Sequence, residues 1–333
     1  MKILFYCPFK FNLLSKNINS LGGIETLNIE LSRELAKKSY KVYLATQTTK
    51  IVRKFGILNI PIKNIREKAK TSNFDIIISS NDPLIFNYFS SSKNIFWMHN
   101  TLSIEKAIRK KKFFSLIRNK INVVFVSKYL KEKTSKLYFF NNNYIIPNFL
   151  SKIFENPKKN YNRRPIFVWS VQRTKGLKEF LDIWINKINP LYKNAKFYVF
   201  GVNDKDIIRN KNRYLKNNIF FFKKTSKYKL KKIYNKSLSM ICLGYDETFC
   251  LNALEANACG LPVISFGKTA LKDLISHNKN GIIVKNFDEI AKTIIRIIEL
   301  NDKKKKRLIS TSYNYSTKYK INKIINSWQN LLR

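Results

Sequence analysis

Short apolar runs of strand length alternate with stretches of helical periodicity along almost the whole chain, and this rhythm constrains the fold more than any other feature. KILFYC (2–7) reads as a buried strand. In IETLNIELSRELAKK (24–38), Ile24, Leu27, Leu31 and Leu35 fall on one helical face. KVYLAT (41–46), FDIIISS (74–80), NIFWM (94–98) and VVFVS (123–127) follow as strands, with helical stretches between some of them. Continuously apolar strands separated by helices indicate βαβ units and a parallel sheet covered on both faces. The rhythm restarts after YIIPN (144–148), with PIFVWS (165–170), KFYVFG (196–201), NIFFF (218–222), SMICLG (239–244), PVISF (262–266) and GIIV (281–284) as a second set of strands. The polar stretch LSKIFENPKKNYNRR (150–164), which contains Pro157, reads as a linker. The expectation is two doubly wound α/β domains facing each other across a cleft, 1–150 and 151–317, with a last helix in 318–333 that packs back across the join.

Length and composition agree with this division. A chain of 333 residues, 44% hydrophobic, suits two domains, each able to bury a core. The 64 Lys and Arg against 21 Asp and Glu give a formal net charge of +43, which implies a polyanionic neighbour: nucleic acid, an anionic membrane face or phosphorylated substrates. Lys, Asn, Ile, Phe and Tyr are all abundant, as in a biased coding background, and that bias accounts for part of the charge without a function. Cys7, Cys242, Cys250 and Cys259 contain no C-x-x-C pair and, with two histidines in the chain, make a poor zinc site. They read as reduced, buried thiols of a cytoplasmic protein. The start, MKILFYCPFK, has too short an apolar run for a signal peptide, and no apolar run reaches the ~18 residues of a membrane span.

The chemistry concentrates in YDETFCLNALEANACGLPVISF (245–266), where Glu247 and Glu255 stand eight positions apart. The strand SMICLG leads into a loop carrying Tyr245, Asp246, Glu247 and Thr248. A helix then runs to about Ala258, Gly260 suits its C′ position, and Pro262 bars its continuation. In open α/β sheets ligands bind at the carboxyl ends of the strands, where this loop must lie. The helix N-terminus offers N–H groups and partial positive charge to a diphosphate. Glu255, inside the helix, can accept hydrogen bonds from the paired hydroxyls of a ribose, and Glu247, on the loop, can reach a second polyol.

The string resembles the C-terminal signature E-x-F-G-x-x-x-x-E-A-x-A-x-G-x-P-V of family 4 glycosyltransferases, which have the GT-B fold. Both glutamates match, and Cys250 stands where that pattern has Gly. Further matches come in family order along nearly the whole chain. Gly22-Gly23-Ile24-Glu25 resembles the family's N-terminal glycine loop, whose backbone can approach a phosphate or sugar at a helix N-terminus. Arg173 and Lys175, before Gly176 in SVQRTKGL, resemble the family's cation pair, here two residues apart, and suit a leaving diphosphate. His99, ahead of Asn100, corresponds to a family histidine at a strand end near the transferred sugar. His277, in ISHNKNGIIV, resembles a surface turn and reads as structural. Asp204-Lys205-Asp206 has the form of a metal motif of a different glycosyltransferase fold, and here reads as a helix cap. The resemblance therefore implies a catalytic set of His99, Glu247, Arg173 and Lys175, and a donor-binding set of Gly22, Gly23, Thr248, Phe249, Cys250, Leu251 and Glu255. It implies no metal and no cofactor beyond the donor, a nucleotide diphosphate sugar. The first domain would be the acceptor side and the second the donor side.

The implied activity is retaining transfer of a hexose to a glycan or lipid-linked acceptor in cell-surface polysaccharide or glycoconjugate synthesis. Two alternatives stand beside it: a sugar-nucleotide epimerase on the same architecture, and a basic nucleic-acid-binding protein for which the charge is the point. The chain has no aromatic-interleaved RNA motif and no zinc finger, so no nucleic acid is expected. The stretch IRKKKFFSLIRNK (108–120) surrounds Phe113, Phe114, Leu116 and Ile117 with cations and suits docking on the inner face of an anionic membrane.

Overall fold

The structure, a computed structural model, describes residues 1–14, 21–65, 67, 73–89, 93–172, 174–202 and 210–333. The chain divides into two units, Met1–Ser151 together with Ile321–Arg333, and Lys152–Lys320.

In the first unit the strands are Lys2–Tyr6 (β1), Lys41–Thr46 (β2), Val52–Lys54 (β3), Ile57–Pro61 (β4), Ile76–Ser80 (β5), Lys93–Met98 (β6), Asn122–Phe125 (β7) and Asn142–Ile145 (β8). They form one sheet in the order β3-β4-β2-β1-β5-β6-β7-β8. Every pairing is parallel except β3 with β4. The β3–β4 hairpin was not expected from the sequence. Its turn, Phe55-Gly56, holds both residues at positive φ, +57° and +76°, the requirement of a type I′ turn. A phenylalanine is an unusual occupant of that position. Its ring lies 4.6 Å from the Arg33 guanidinium carbon and 5.0 Å from Lys54 Nζ. The helix Ile321–Leu332 belongs to this unit: Trp328 meets Trp97 edge to face at 4.8 Å, and Lys93 Nζ donates to Leu331 O at 2.7 Å.

The second unit holds Ile166–Trp169 (β9), Lys196–Phe200 (β10), Ile219–Phe222 (β11), Ser239–Ile241 (β12), Val263–Ser265 (β13) and Gly281–Ile283 (β14) in a parallel sheet ordered β11-β10-β9-β12-β13-β14. Its core packs Phe180, Trp184 and Phe197 with centroids 4.9–6.4 Å apart. The segment read as a linker is anchored rather than free. Phe154 is fully buried. Arg163 donates to the carbonyls of Asn160 (2.8 Å), Tyr234 (2.6 Å) and Cys259 (2.7 Å) and to the Tyr313 hydroxyl (3.1 Å). Burial lowers the pKa of this guanidinium, and the ring of carbonyls offsets the cost of burying its charge.

Strand order fixes where a ligand can sit in each unit. The order reverses direction beside β1, between β2 and β5, and beside β9, between β10 and β12. Loops leaving neighbouring strands part at such a point and open a crevice at the carboxyl edge. The loops after β9 and β12 carry Lys175 and Glu247, and the loops after β1, β5 and β6 carry Gly22, Asn81 and His99.

Candidate active site

The loop after β12 is shaped by backbone conformations that few residues adopt freely. Gly244, Asp246 and Cys250 have φ of +94°, +49° and +69°. Ala270 N–H donates to Glu247 O at 3.0 Å, and Thr269 Oγ1 donates to Gly244 O at 2.7 Å, so the following strand's loop braces this one. The loop after β9 closes on it from the other side. Gly176 sits at φ +97°, and a Cβ there would lie 2.6 Å from Leu243 Cδ1 and 2.9 Å from Tyr245. Only glycine permits that approach. The result is an ion pair: Lys175 Nζ lies 2.7 Å from Glu247 Oε1 and 3.3 Å from Asp246 O, with side chains 15% and 12% exposed.

Cys250 is the N-cap of the helix Leu251–Ala258, and no side chain caps that end among the described residues. Its carbonyl accepts from Ala253 and Leu254 N–H. The left-handed backbone explains why the resembling pattern has glycine here. A non-glycine residue in this region costs ~1–2 kcal/mol. The Cys250 side chain turns inward, with Sγ 3.5 Å from Cys242 Sγ. At the other end of the helix Gly260 sits at φ +68° and satisfies the expected C′ role.

Glu255 lies in the middle of this helix, buried, and pairs with Lys227 Nζ at 2.7 Å. Lys227 opens the helix Lys227–Tyr234, capped by Ser226. The sequence reading missed Lys227, because in a chain so rich in lysine no local signal distinguishes it. Tyr234, on the same helix, is buried, and burial followed by the Glu255 charge raises its pKa well above the ordinary tyrosine value. Its hydroxyl lies 2.6 Å from Ser170 Oγ, and Asn252 Nδ2 donates to Ser170 O, which ties the end of β9 to the start of the glutamate-bearing helix. Thr248 is half-buried, Leu251 likewise, and Phe249 is buried edge-on against Tyr319 at 5.9 Å.

His99, Gly22 and Gly23 belong to the first unit. His99 follows β6, its N–H donating to Asn81 Oδ1 at 2.8 Å and its ring 4.7 Å from that of Trp97. Burial lowers its pKa to about 3, so it presents a neutral imidazole at ordinary pH. Gly22 is the N-cap of the helix Gly23–Lys37, also without a side-chain cap. His277 takes the structural role read from the sequence, its Nδ1 accepting from Ile283 N–H at 3.0 Å. Arg173, and the Asp204-Lys205-Asp206 segment, lie outside the described residues.

Two Rossmann-like units, the second carrying the Lys175–Glu247 pair after its strands and Glu255 on the helix that follows, have the architecture of the GT-B glycosyltransferases. The comparisons fix the family: the profile described as "Glycosyl transferases group 1" matches residues 149–315, half of the chain, and the chain belongs to that family. A relative in Haemophilus influenzae, described as an uncharacterized glycosyltransferase, is 23% identical over 361 residues, covering 97% of this chain and 99% of its own. Solved structures share the fold. WaaG, a glycosyltransferase involved in lipopolysaccharide biosynthesis, superposes with a TM-score of 0.75 at 11% identity, over 99% of each chain. HepE of Anabaena, in complex with UDP-glucose, superposes with a TM-score of 0.74 at 14% identity, over 100% of this chain and 99% of its own.

Proposed function

We propose that this glycosyltransferase moves a hexose from a nucleotide diphosphate sugar to a hydroxyl of a glycan or lipid-linked acceptor in cell-surface glycan synthesis, with retention of configuration and without a metal. The observation that carries the reading is the Lys175–Glu247 pair at 2.7 Å, set beside the helix that buries Glu255. Glu255 reads the ribose hydroxyls and Glu247 the hydroxyls of the transferred sugar. Lys175 and the amides at the start of Leu251–Ala258 receive the charge that develops on the diphosphate. His99, Gly22 and Gly23 keep the sugar and phosphate roles that the family resemblance implies for them, and Arg173 that of a second cation. The donor's departing phosphate oxygen takes the acceptor proton on the same face, and the enzyme supplies position and charge. HepE is seen with UDP-glucose, which makes UDP-hexoses the first donors to test. Family membership favours transfer over the epimerase alternative. Proton NMR of the earliest product decides the stereochemistry: the donor's anomeric configuration is expected, and the opposite anomer overturns retention. Chelation is expected to leave the rate unchanged, and activity that vanishes with chelator and returns with manganese overturns the metal-free reading.

The acceptor reading draws support from residues 108–120. No described helix is long and apolar enough to cross a membrane. The stretch forms two short helices, Ile104–Arg109 and Phe113–Arg118, joined by a turn with Lys111 at φ +55°. Ile108 and Phe114 are exposed beside Arg109, Lys110 and Lys111. Lys112 corrects the sequence reading: it pairs with Asp82 at 3.0 Å and donates to Asn81 O at 3.1 Å, so it is committed within the protein. Each cation near an anionic surface contributes about 1 kcal/mol. Arg109→Glu, Lys110→Glu and Lys111→Glu together are expected to abolish co-sedimentation with anionic vesicles while neutral vesicles never bind. Equal binding to both vesicle types contradicts the docking.

A further inference from the structure

We propose that Cys242, Glu247 and Cys250 form a binding site for a thiophilic divalent cation, zinc being the biological case, and that its occupation withdraws Glu247 from turnover.

The three potential ligand atoms, two thiol sulfurs and a carboxylate oxygen, lie within 4.8 Å of one another. The two sulfurs are 3.5 Å apart. Tetrahedral zinc with Zn–S bonds of ~2.3 Å separates its sulfurs by ~3.8 Å, so the pair is already spaced as one edge of a zinc tetrahedron. A disulfide needs ~2.05 Å and a much larger closure. Two thiolates with a carboxylate suit a soft or borderline cation far better than magnesium or calcium. The ligands come from different elements. Cys242 directly follows β12 and is fully buried, whereas Cys250 and Glu247 lie on the loop that ends at the helix N-terminus. Cys250 holds its sulfur inward from a left-handed backbone that disfavours any side chain. With the site empty, the Cys250 thiol has its pKa raised, first by its hydrogen bond with Cys242 and then by burial. On binding, both thiols lose protons to solvent and the cation takes their place.

Occupation has a cost and a consequence. Lys175 Nζ sits 2.7 Å from Glu247 Oε1, so a cation taken up by this carboxylate competes with the ion pair. The loop from 242 to 250 would then be closed by the metal, with Glu247 turned toward it and Lys175 released. The inhibitory half of the proposal rests on the proposed role of Glu247. The binding half does not.

Cobalt(II), titrated into the full-length protein under argon with a phosphine reductant, is the probe. One equivalent is expected to give thiolate-to-cobalt charge-transfer absorption and the visible bands of tetrahedral cobalt, both removed by competing zinc. Cys250→Gly, which suits the left-handed position and keeps the fold, is expected to weaken cobalt binding more than ~100-fold, beyond the usual effect of losing a ligand's outer-shell support. Cys242→Ala should do the same, and Cys7→Ala and Cys259→Ala should leave the bands intact. Bands that persist in Cys250→Gly, that vanish in Cys7→Ala, or that never form in the wild type overturn the site. In turnover assays, zinc is expected to inhibit the wild type and leave Cys250→Gly at whatever rate it shows without zinc. Cobalt binding with the expected signature but no zinc inhibition overturns the inhibitory half, while the role of Glu247 in turnover stands or falls on Glu247→Gln.

Discussion

Glu247→Gln is expected to lower the turnover rate ~10- to 150-fold while nucleotide affinity stays within about twofold. The substitution keeps the shape of the side chain, so Ala270 still braces the loop through the Glu247 carbonyl. It removes the charge that holds Lys175 Nζ at 2.7 Å. In the proposed chemistry it also removes a charged acceptor for a hydroxyl of the transferred sugar. A hydrogen bond to a charged group contributes ~1.5–3 kcal/mol, which at the transition state gives the rate loss stated. Lys175→Met should fall in the same range, because the two groups act as a pair. The double variant should then lose less than the product of the single losses. Initial-rate kinetics on the four proteins check this, and additive losses would separate the two residues.

Gly260→Ala is expected to destabilise the second unit by ~2–5 kcal/mol. Two causes combine. A left-handed backbone costs an L-residue ~1–2 kcal/mol. In addition, a Cβ at φ +68° would stand 2.3 Å from Tyr313 Cε2, and overpacking a filled site costs ~1–3 kcal/mol. The Tyr313 ring has little room to retreat, since its hydroxyl meets Arg163 at 3.1 Å and Asn160 N–H at 3.2 Å. Gly201→Ala is the control: φ is +81°, yet nothing lies within 4 Å of the new carbon, so only the backbone cost remains. Urea unfolding followed by circular dichroism gives both values, and equal losses would remove the Tyr313 clash as a cause.

Most strands were legible because a parallel sheet buried on both faces demands unbroken apolar runs. IIISS, FYVF and the runs around them stand out from helical spacing for that reason. Of the elements that escaped, β3 and β8 lie at sheet edges and β8 is the polar Asn142–Ile145, whereas β4 is paired on both sides and buried but short and interrupted by Asn59, and its turn places Phe55 where Asn or Asp would have announced it. At the site, glutamates are scarce enough for Glu247 and Glu255 to be conspicuous, whereas their partners are lysines and lysine is everywhere. Lys227 beside Glu255, Lys112 beside Asp82 and the buried Arg163 become distinct only when folding places each against its partner. The same ambiguity made 150–164 look like a solvated linker. Cys250 was conspicuous as a departure from the family's glycine, but its sulfur contact with Cys242 comes from the inward turn of a left-handed residue, which no spacing rule conveys.

Calorimetric titration of a nucleoside diphosphate, UDP first and then GDP and ADP, into the wild type, Glu255→Ala and Glu247→Gln tests the donor site most directly. Glu255→Gln, which keeps a partner for Lys227, guards against a folding defect in the alanine variant. Loss of one charged hydrogen bond to the ribose, ~1.5–3 kcal/mol, should weaken binding ~10- to 150-fold in both Glu255 variants. Glu247→Gln should bind within about twofold of the wild type. Nucleotide binding that is unchanged in folded Glu255→Ala, or that falls in Glu247→Gln while Glu255→Ala is spared, would contradict the assignment of the two glutamates.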